Sequence, residues 1–386
     1  MGKIRIGIIG VGNMGSSHAR LLAGGDVPGA ELTAICDCNP DRLKWARETF
    51  GEKVQLFERS EELFAAQAVD AVLIATPHYD HPNLAIDAFK NNLHVLIEKP
   101  AGVYTRQVRE MNEAAQKTDR VFGIMYNQRT NPLYQKVREL IQTGELGEIK
   151  RVNWIITTWY RSQSYYNSGG WRATWAGEGG GVLLNQCPHQ LDLWQWICGM
   201  PERVRTFMAF GKYHDIEVED DVTTYMEYKN GATGVFITST ADTPGTNRFE
   251  ILGDKGKVVI EEGKMAFWRL PVSERQFNSE YTGGFGEPES WRCEIPIKGT
   301  ETAHLGILID WVTAIEKGTS LLAPGIEGIN GLTLSNAMHL SAWTNDWVEL
   351  PINEDLFYEK LQERVKNSSY MKPAVAAITL DVKGTH

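Results

Sequence analysis

Cysteine, excess positive charge and long apolar runs are all scarce in this chain of 386 residues. Its five cysteines, Cys36, Cys38, Cys187, Cys198 and Cys293, are an odd number without a repeated pair spacing, which fits neither a disulfide framework nor a zinc module. Cys36 and Cys38 flank Asp37, but two neighbouring soft ligands fall short of a metal site, so no metal is expected. A reducing compartment, the cytoplasm, suits free thiols best. Lys and Arg number 39 against 49 Asp and Glu, for a formal net charge of -10. That balance offers no basic stripe to phosphate, which argues against nucleic acid or an anionic membrane as partner. No stretch approaches the ~20 apolar residues of a membrane span. The chain enters a strand at once, without the basic region, apolar run and cleavage site of a signal peptide.

What is present is an ordinary globular composition, 42% hydrophobic and 23% charged, in a chain long enough for two domains and the cleft between them. The opening "KIRIGIIGVGNMGSSHARLLAG" places Gly10, Gly12 and Gly15 between a β-branched run and a helical pattern. A second apolar run, "ELTAICD", ends in Asp37, close to the ~20-residue spacing at which an acidic group meets the ribose hydroxyls of a dinucleotide. On that reading Gly10 makes the turn, Gly12 admits the pyrophosphate, and Gly15 lets helix and strand pack closely. The alternative is that the three glycines only form a tight turn. Asp37 would repel the 2′-phosphate of NADP, so NAD is the expected cofactor, with the adjacent Arg42 able to soften that preference.

Strand and helix patterns keep alternating to "VFGIMYN", which predicts βαβ units in a doubly wound parallel sheet over residues 1–127. Ligands in such sheets lie beyond the C-terminal strand ends. Those ends carry Thr76, Pro77 and His78; Glu98, Lys99 and Pro100; and Asn127, Gln128 and Arg129. Lys99 follows the apolar run "HVLI" and precedes a proline that biases it toward an extended backbone, a setting that a solvated lysine does not need.

From Glu148 long alternating strands take over, "EIKRVNWIITTWY", "VRTFMAF", "DVTTYMEYKNGATGVFITST" and "RFEILGDKGKVVIEE", with hairpin turns at Asn230-Gly231 and at 254–256. They predict an α+β domain over 128–354 with a large, mostly antiparallel sheet. "GEGGGVLLNQCPHQLDLWQWICGMP" crosses it, and its glycines are expected to let the backbone approach a nicotinamide. Asn185, His189 and Asp192 would share a face of one continuous helix, although Pro188 can start or kink it near Cys187. His189 can also be read as a core histidine. Asp192 reads as a partner of His189 or of the backbone. Trp159, Tyr160, Tyr165, Tyr166, Trp171 and Trp175, interleaved with Arg161 and Arg172, suit a sugar's apolar faces or plain packing. "HLGILIDWVTAIEKG" and "GINGLTLSNAMHLSAWT" read as helices closing the second domain or packing back on the first. Residues 355–386 form an extension, an arm over a neighbouring subunit or a frayed tail.

Three ordered motifs, "GIIGVGNMGSSH", "HVLIEKP" and "GGGVLLNQCPHQLD", together resemble the glucose-fructose oxidoreductase / inositol dehydrogenase (Gfo/Idh/MocA) family, from Lys3 to about Pro351. The resemblance implies a Rossmann domain joined to an α+β domain, assembled as a dimer or tetramer through the second sheet. It implies a cofactor surface of Gly10, Gly12, Asn13, Met14, Gly15, Asp37, Arg42, Thr76, Pro77, His81, Glu98, Lys99, Gln128 and Trp171. Lys99 and His189 are implied as the proton carriers, and Asn185, Arg172, Tyr160 and Asp192 as substrate contacts. In many members the peptide before the proline of Glu-Lys-Pro is cis. Many also carry an Asp where this chain has Asn185, and an amide cannot take a proton. The expected activity is NAD-dependent hydride transfer from a secondary hydroxyl of a sugar, glycoside or cyclic polyol. Two alternatives are glycoside cleavage or epimerisation through transient oxidation at C3, and a non-catalytic NAD sensor.

Overall fold

The computed structural model describes residues 2–368. Six strands come first: β1 (Ile4–Ile9), β2 (Ala30–Cys36), β3 (Gln55–Phe57), β4 (Ala71–Ile74), β5 (His94–Ile97) and β6 (Phe122–Ile124). They pair in parallel in the order β3-β2-β1-β4-β5-β6. Every residue of β4 is buried, as are the last three of β5, the mark of a sheet covered on both faces. The helices between the strands are α1 (Asn13–Gly24), α2 (Pro40–Phe50), α3 (Ser60–Ala65), α4 (His81–Lys90) and α5 (Thr105–Ala115). Strand order reverses between β1 and β4, which opens a crevice at their C-terminal ends.

The second part begins with α6 (Pro132–Gln142), β7 (Ile149–Ile156) and three helices, α7 (Gln163–Asn167), α8 (Val182–Asn185) and α9 (Pro188–Cys198). The strands β8 (Arg203–Phe210), β9 (Glu219–Glu227), β10 (Thr233–Ser239), β11 (Asn247–Gly253), β12 (Gly256–Glu261) and β13 (Lys264–Arg269) follow. Then come α10 (Glu274–Glu280), β14 (Trp291–Cys293), α11 (Ala303–Lys317), α12 (Gly328–Thr344), β15 (Val348–Glu349) and α13 (Glu354–Lys366). The nine strands pair in the order β14-β13-β12-β11-β7-β10-β9-β8-β15. Only the central pair, β10 with β7, is parallel.

One face of this sheet holds the core. Trp154 is fully buried, stacks on Phe249 at 4.1 Å between ring centres, and meets Phe236 edge-on. Trp194 of α9 closes over Phe236 from above. The opposite face leaves Phe207 63% and Tyr225 38% exposed.

The C-terminal helices pack back on the first domain. Ile124 N–H donates to the Ala323 carbonyl, and Asn336 of α12 bonds both Thr105 N–H and the Val103 carbonyl. Asp355 lies inside α13 and not at the start of an arm. That helix docks on α5 through Arg106–Asp355 and Arg109–Glu354, with Phe357 and Leu361 buried beneath it. The hydrophobic spacing of those two residues decides the docking. The rest of the extension, from 369 onward, lies outside the described residues.

Trp154→Ala would open the central cavity of the second sheet, and we expect a loss of about 3–5 kcal/mol in urea unfolding.

Candidate active site

The glycine-rich turn is built as a dinucleotide cradle. Gly10 has φ +88°, and a Cβ on Gly15 would lie 1.9 Å from the Gly10 carbonyl oxygen, so helix α1 and strand β1 approach as only glycines allow. A Cβ on Gly12 would meet nothing within 4 Å, so that side of the turn is open space at the positive end of α1. Asn13 and Met14 form the first turn of this helix. Asp37 closes the far side: its carboxylate accepts Val11 N–H at 2.8 Å and Asn39 N–H at 2.9 Å, which fixes it to the turn. Arg42 stands in the first turns of α2 and is half-buried. Thr76 follows β4, and its buried Oγ1 has no hydrogen-bond partner among the described residues. An open cradle, a fastened acidic group and an unsatisfied hydroxyl along one crevice fit a dinucleotide.

Two residues of the expected cofactor surface have other work. His81 is fully buried and its ring spans two carbonyls, Pro100 through Nδ1 and Thr76 through Nε2, each at 2.8 Å. It therefore sits between the loops that follow β4 and β5, where a neutral ring donates to one of the two carbonyls. Glu98 is buried against His18 of α1, at 2.7 Å, and also accepts Lys99 N–H. Burial opposes its charge, but the hydrogen bond and charge of His18 outweigh this and hold the carboxyl well below the usual range. Both residues set the shape of the loop that aims Lys99. The Lys99–Pro100 peptide in that loop is cis. Pro77 is exposed, Trp171 meets His78 edge-on at 5.6 Å, and Gln128 makes one long contact with Glu301.

Lys99 reaches across to the second sheet's helices, where its Nζ donates to the Asn185 carbonyl at 2.9 Å. Burial pulls the ammonium below its ordinary pKa; Glu98 and Glu178 push it up, Arg172 and Arg161 down. Asn185 ends α8, and after a break at 186–187 helix α9 starts at Pro188, with His189 next. Pro188 sits where a helix loses no hydrogen bond to it. His189 is 4% exposed, with the Tyr126 ring edge-on at 6.4 Å.

The break changes the part of Asp192. Its two oxygens accept from Arg129 Nη2 at 2.6 Å and Nε at 2.8 Å, a bidentate pair that is 1% and 0% exposed. Burial works against the Arg129 charge, but Asp192 and Glu327 outweigh it and hold the guanidinium above its ordinary value. Asp192 thus pairs with a buried arginine through both of its oxygens. One continuous helix would have aligned it with Asn185; two helices do not.

The glycine run also has a reason other than the expected one. A Cβ on Gly179 would lie 2.3 Å from Val103, and one on Gly181 would lie 2.1 Å from the Glu219 carbonyl. These glycines bring α8 against neighbouring protein backbone and side chains. The fully buried Glu219 caps that helix, accepting Gly181 N–H and Leu183 N–H, and meets His339 of α12 at 3.0 Å.

The aromatic cluster divides. Trp159, Tyr166 and Trp175 are buried; Tyr166 donates to or accepts from Thr240 Oγ1, and Trp175 packs on Trp343. Tyr165 is half-buried, with Arg172 4.8 Å and Arg161 5.2 Å from its ring centre. Its hydroxyl accepts from Arg172 and Gln186, beside Asn185. Tyr160 stands 53% exposed at the rim. The sequence alone missed Glu178, Glu219 and His18. Glu178 and His18 stand next to recognised motifs, in "GEGGG" and "MGSSH", and that adjacency was the available signal.

Two models of one family match: "Oxidoreductase family, NAD-binding Rossmann fold" over residues 4–126 and "GFO/IDH/MocA C-terminal domain" over 134–259, together more than half of the chain. The chain belongs to the Gfo/Idh/MocA oxidoreductase family. Its first domain is that family's NAD-binding Rossmann domain. The chain is similar to myo-inositol 2-dehydrogenase of Thermotoga maritima, 29% identical over 67% of this chain and 75% of the relative. Levoglucosan dehydrogenase of Pseudarthrobacter phenanthrenivorans is 24% identical over 91% of this chain and 99% of its own. Among solved structures, the WlbA dehydrogenase of Bordetella pertussis, in complex with NADH and UDP-GlcNAcA, superposes with TM-score 0.76 at 27% identity, covering 91% of this chain and 100% of that one. The described residues of this family member hold no group of three or more His, Cys, Asp or Glu able to bind a metal, and no helix long and apolar enough to cross a membrane.

Asp192→Ala leaves Arg129 buried with one fewer partner, and we expect it to cost about 3–5 kcal/mol of unfolding free energy. NAD affinity, measured by titration calorimetry on the folded variant, should stay as in the wild type.

Proposed function

We propose that this protein is an NAD-dependent dehydrogenase that takes a hydride from a secondary hydroxyl of a sugar, glycoside or cyclic polyol. The observation that carries the reading is the half-buried Lys99 ammonium at the end of β5, hydrogen-bonded to the carbonyl of Asn185 from the other domain. Bound NAD supplies the hydride acceptor. The chain's own residues then have to orient the hydroxyl and remove its proton.

Lys99 and His189 are the groups suited to that proton. A lysine with a depressed pKa can hold a hydroxyl oxygen as a donor or accept its proton once neutral, and an imidazole nitrogen can accept the same proton. The ring of Tyr165, flanked by Arg161 and Arg172, and the Asn185 amide supply the mixed apolar and polar surface that a sugar ring needs. We further infer assembly as a dimer or tetramer through the open face of the second sheet, where Phe207 of β8 and Tyr225 of β9 are exposed at diagonal positions. All five cysteines are free, which suits a reducing cytoplasm.

A panel of hexoses, glycosides, inositols and sugar acids, read by NADH absorbance, tests the activity. On the substrate found, Lys99→Ala and His189→Ala should each lower kcat about 10²–10⁴-fold while NAD binding changes little. Full turnover by both variants rejects the assignment.

Asp37 governs the choice of cofactor in this reading. Asp37→Asn removes the charge and keeps one acceptor for the turn, so the ratio of kcat/KM for NADP over NAD should rise about tenfold, the size of one charged hydrogen bond. An unchanged ratio from steady-state kinetics would count against Asp37 as the discriminator.

A further inference from the structure

Where the sequence offers an amide at position 185, the fold brings in a carboxylate from seven residues earlier. Glu178 is 2% exposed and directly precedes the glycine run. Its Oε2 accepts Ala173 N–H at 2.5 Å, and its Oε1 accepts a short hydrogen bond from the Asn185 side-chain amide. Ala173 has φ +53° and follows Trp171 and Arg172, so one carboxylate ties the turn that carries those two residues to helix α8.

Asn185 is thereby gripped twice, by Glu178 at its Nδ2 and by Lys99 at its backbone carbonyl. An ionised carboxylate only accepts hydrogen bonds, so it must face the NH₂ end of the amide. The amide oxygen is then the end turned away from Glu178, an acceptor and not a donor. A substrate hydroxyl can donate to such an acceptor.

We propose that Glu178 is a positioning residue of this site: it locks the Asn185 amide with its oxygen presented to a substrate hydroxyl, and it sets the negative charge that faces Lys99 from the second domain. The inference deepens the dehydrogenase reading and rests on it for the substrate's part. The groups around Lys99 are few and can be assigned. From the first domain come Glu98, committed to His18, and the buried neutral His78. From the second come Arg161, Arg172, Cys187 and Glu178, with Tyr166 and His189 next to them. Burial lowers the ammonium's pKa, and Glu178 is one of the two carboxylates that oppose this. A neutral residue at 178 therefore lets Lys99 lose its proton at lower pH.

Two variants separate the two roles. Glu178→Gln removes the charge, while Glu178→Asp keeps the charge but is one methylene short of Asn185. The probe is the NMR titration of Lys99 in protein labelled with ¹⁵N,¹³C-lysine and carrying bound NAD, its signal assigned with Lys99→Arg. We expect the midpoint to fall by about one pH unit in Glu178→Gln and to stay near the wild type in Glu178→Asp. In both, kcat should drop about tenfold or more and the substrate KM should rise, with the dissociation constant for NAD unchanged. A wild-type midpoint in Glu178→Gln, or wild-type kcat and KM in Glu178→Asp, overturns the proposal. If Glu178→Gln does not fold, Glu178→Asp decides it through kcat and KM. If the wild type turns over no member of the panel, the dehydrogenase reading falls, and the Lys99 midpoints still decide whether Glu178 governs that ammonium.

Discussion

At the site the two halves are joined by a hydrogen bond from the Lys99 ammonium to the Asn185 carbonyl, flanked by a second from the Tyr79 hydroxyl to the Trp175 carbonyl. An ammonium partly withdrawn from water needs an oxygen to face, and here the oxygen belongs to the other domain. The placement of β5, the Pro100 loop, α8 and the start of α9 all serve that contact. A rotation between the domains would break this hydrogen bond at the point where chemistry is proposed to occur.

Around that bond the polar groups are layered by domain. On the first domain, His18 and Glu98 form a buried pair beneath the loop, and His81 sits between the carbonyls of Thr76 and Pro100. On the second, Glu219 holds the start of α8 and Glu178 holds its end. These residues do their work on backbone or on other side chains, and the proposed reaction rests on Lys99, Asn185, His189 and Tyr165 beside them. Buried polar groups that are fully bonded rigidify a site; a partly bonded set would let it wander.

The Arg129–Asp192–Glu327 cluster is a third buried network, set against the helices below the cleft. It fixes α9 relative to the 3₁₀ turn at 127–130 and to the chain at 325–327. The second sheet backs these helices with its aromatic face, while Phe207 and Tyr225 stand exposed on the other.

How much of this was legible beforehand follows from the range of the interactions. Local order did write itself into the chain: the glycine turn with Asp37, the apolar strands of the first sheet, the hairpins at Gly231 and Gly256, and the Lys99-Pro100 step each depend on neighbours within a few residues, or on a period of two or 3.6. Other features depend on residues far apart in the chain. That Asp192 serves Arg129 across 63 positions, that His81 sits between the carbonyls of Pro100 and Thr76, and that Gly179 and Gly181 yield to Val103 and Glu219 are facts of contact, not of pattern. The sequence by itself determined which polar side chains were candidates; only the tertiary structure decided which of them are bonded within the protein, because a buried polar side chain is claimed by whichever partner folding brings within about 3 Å of it.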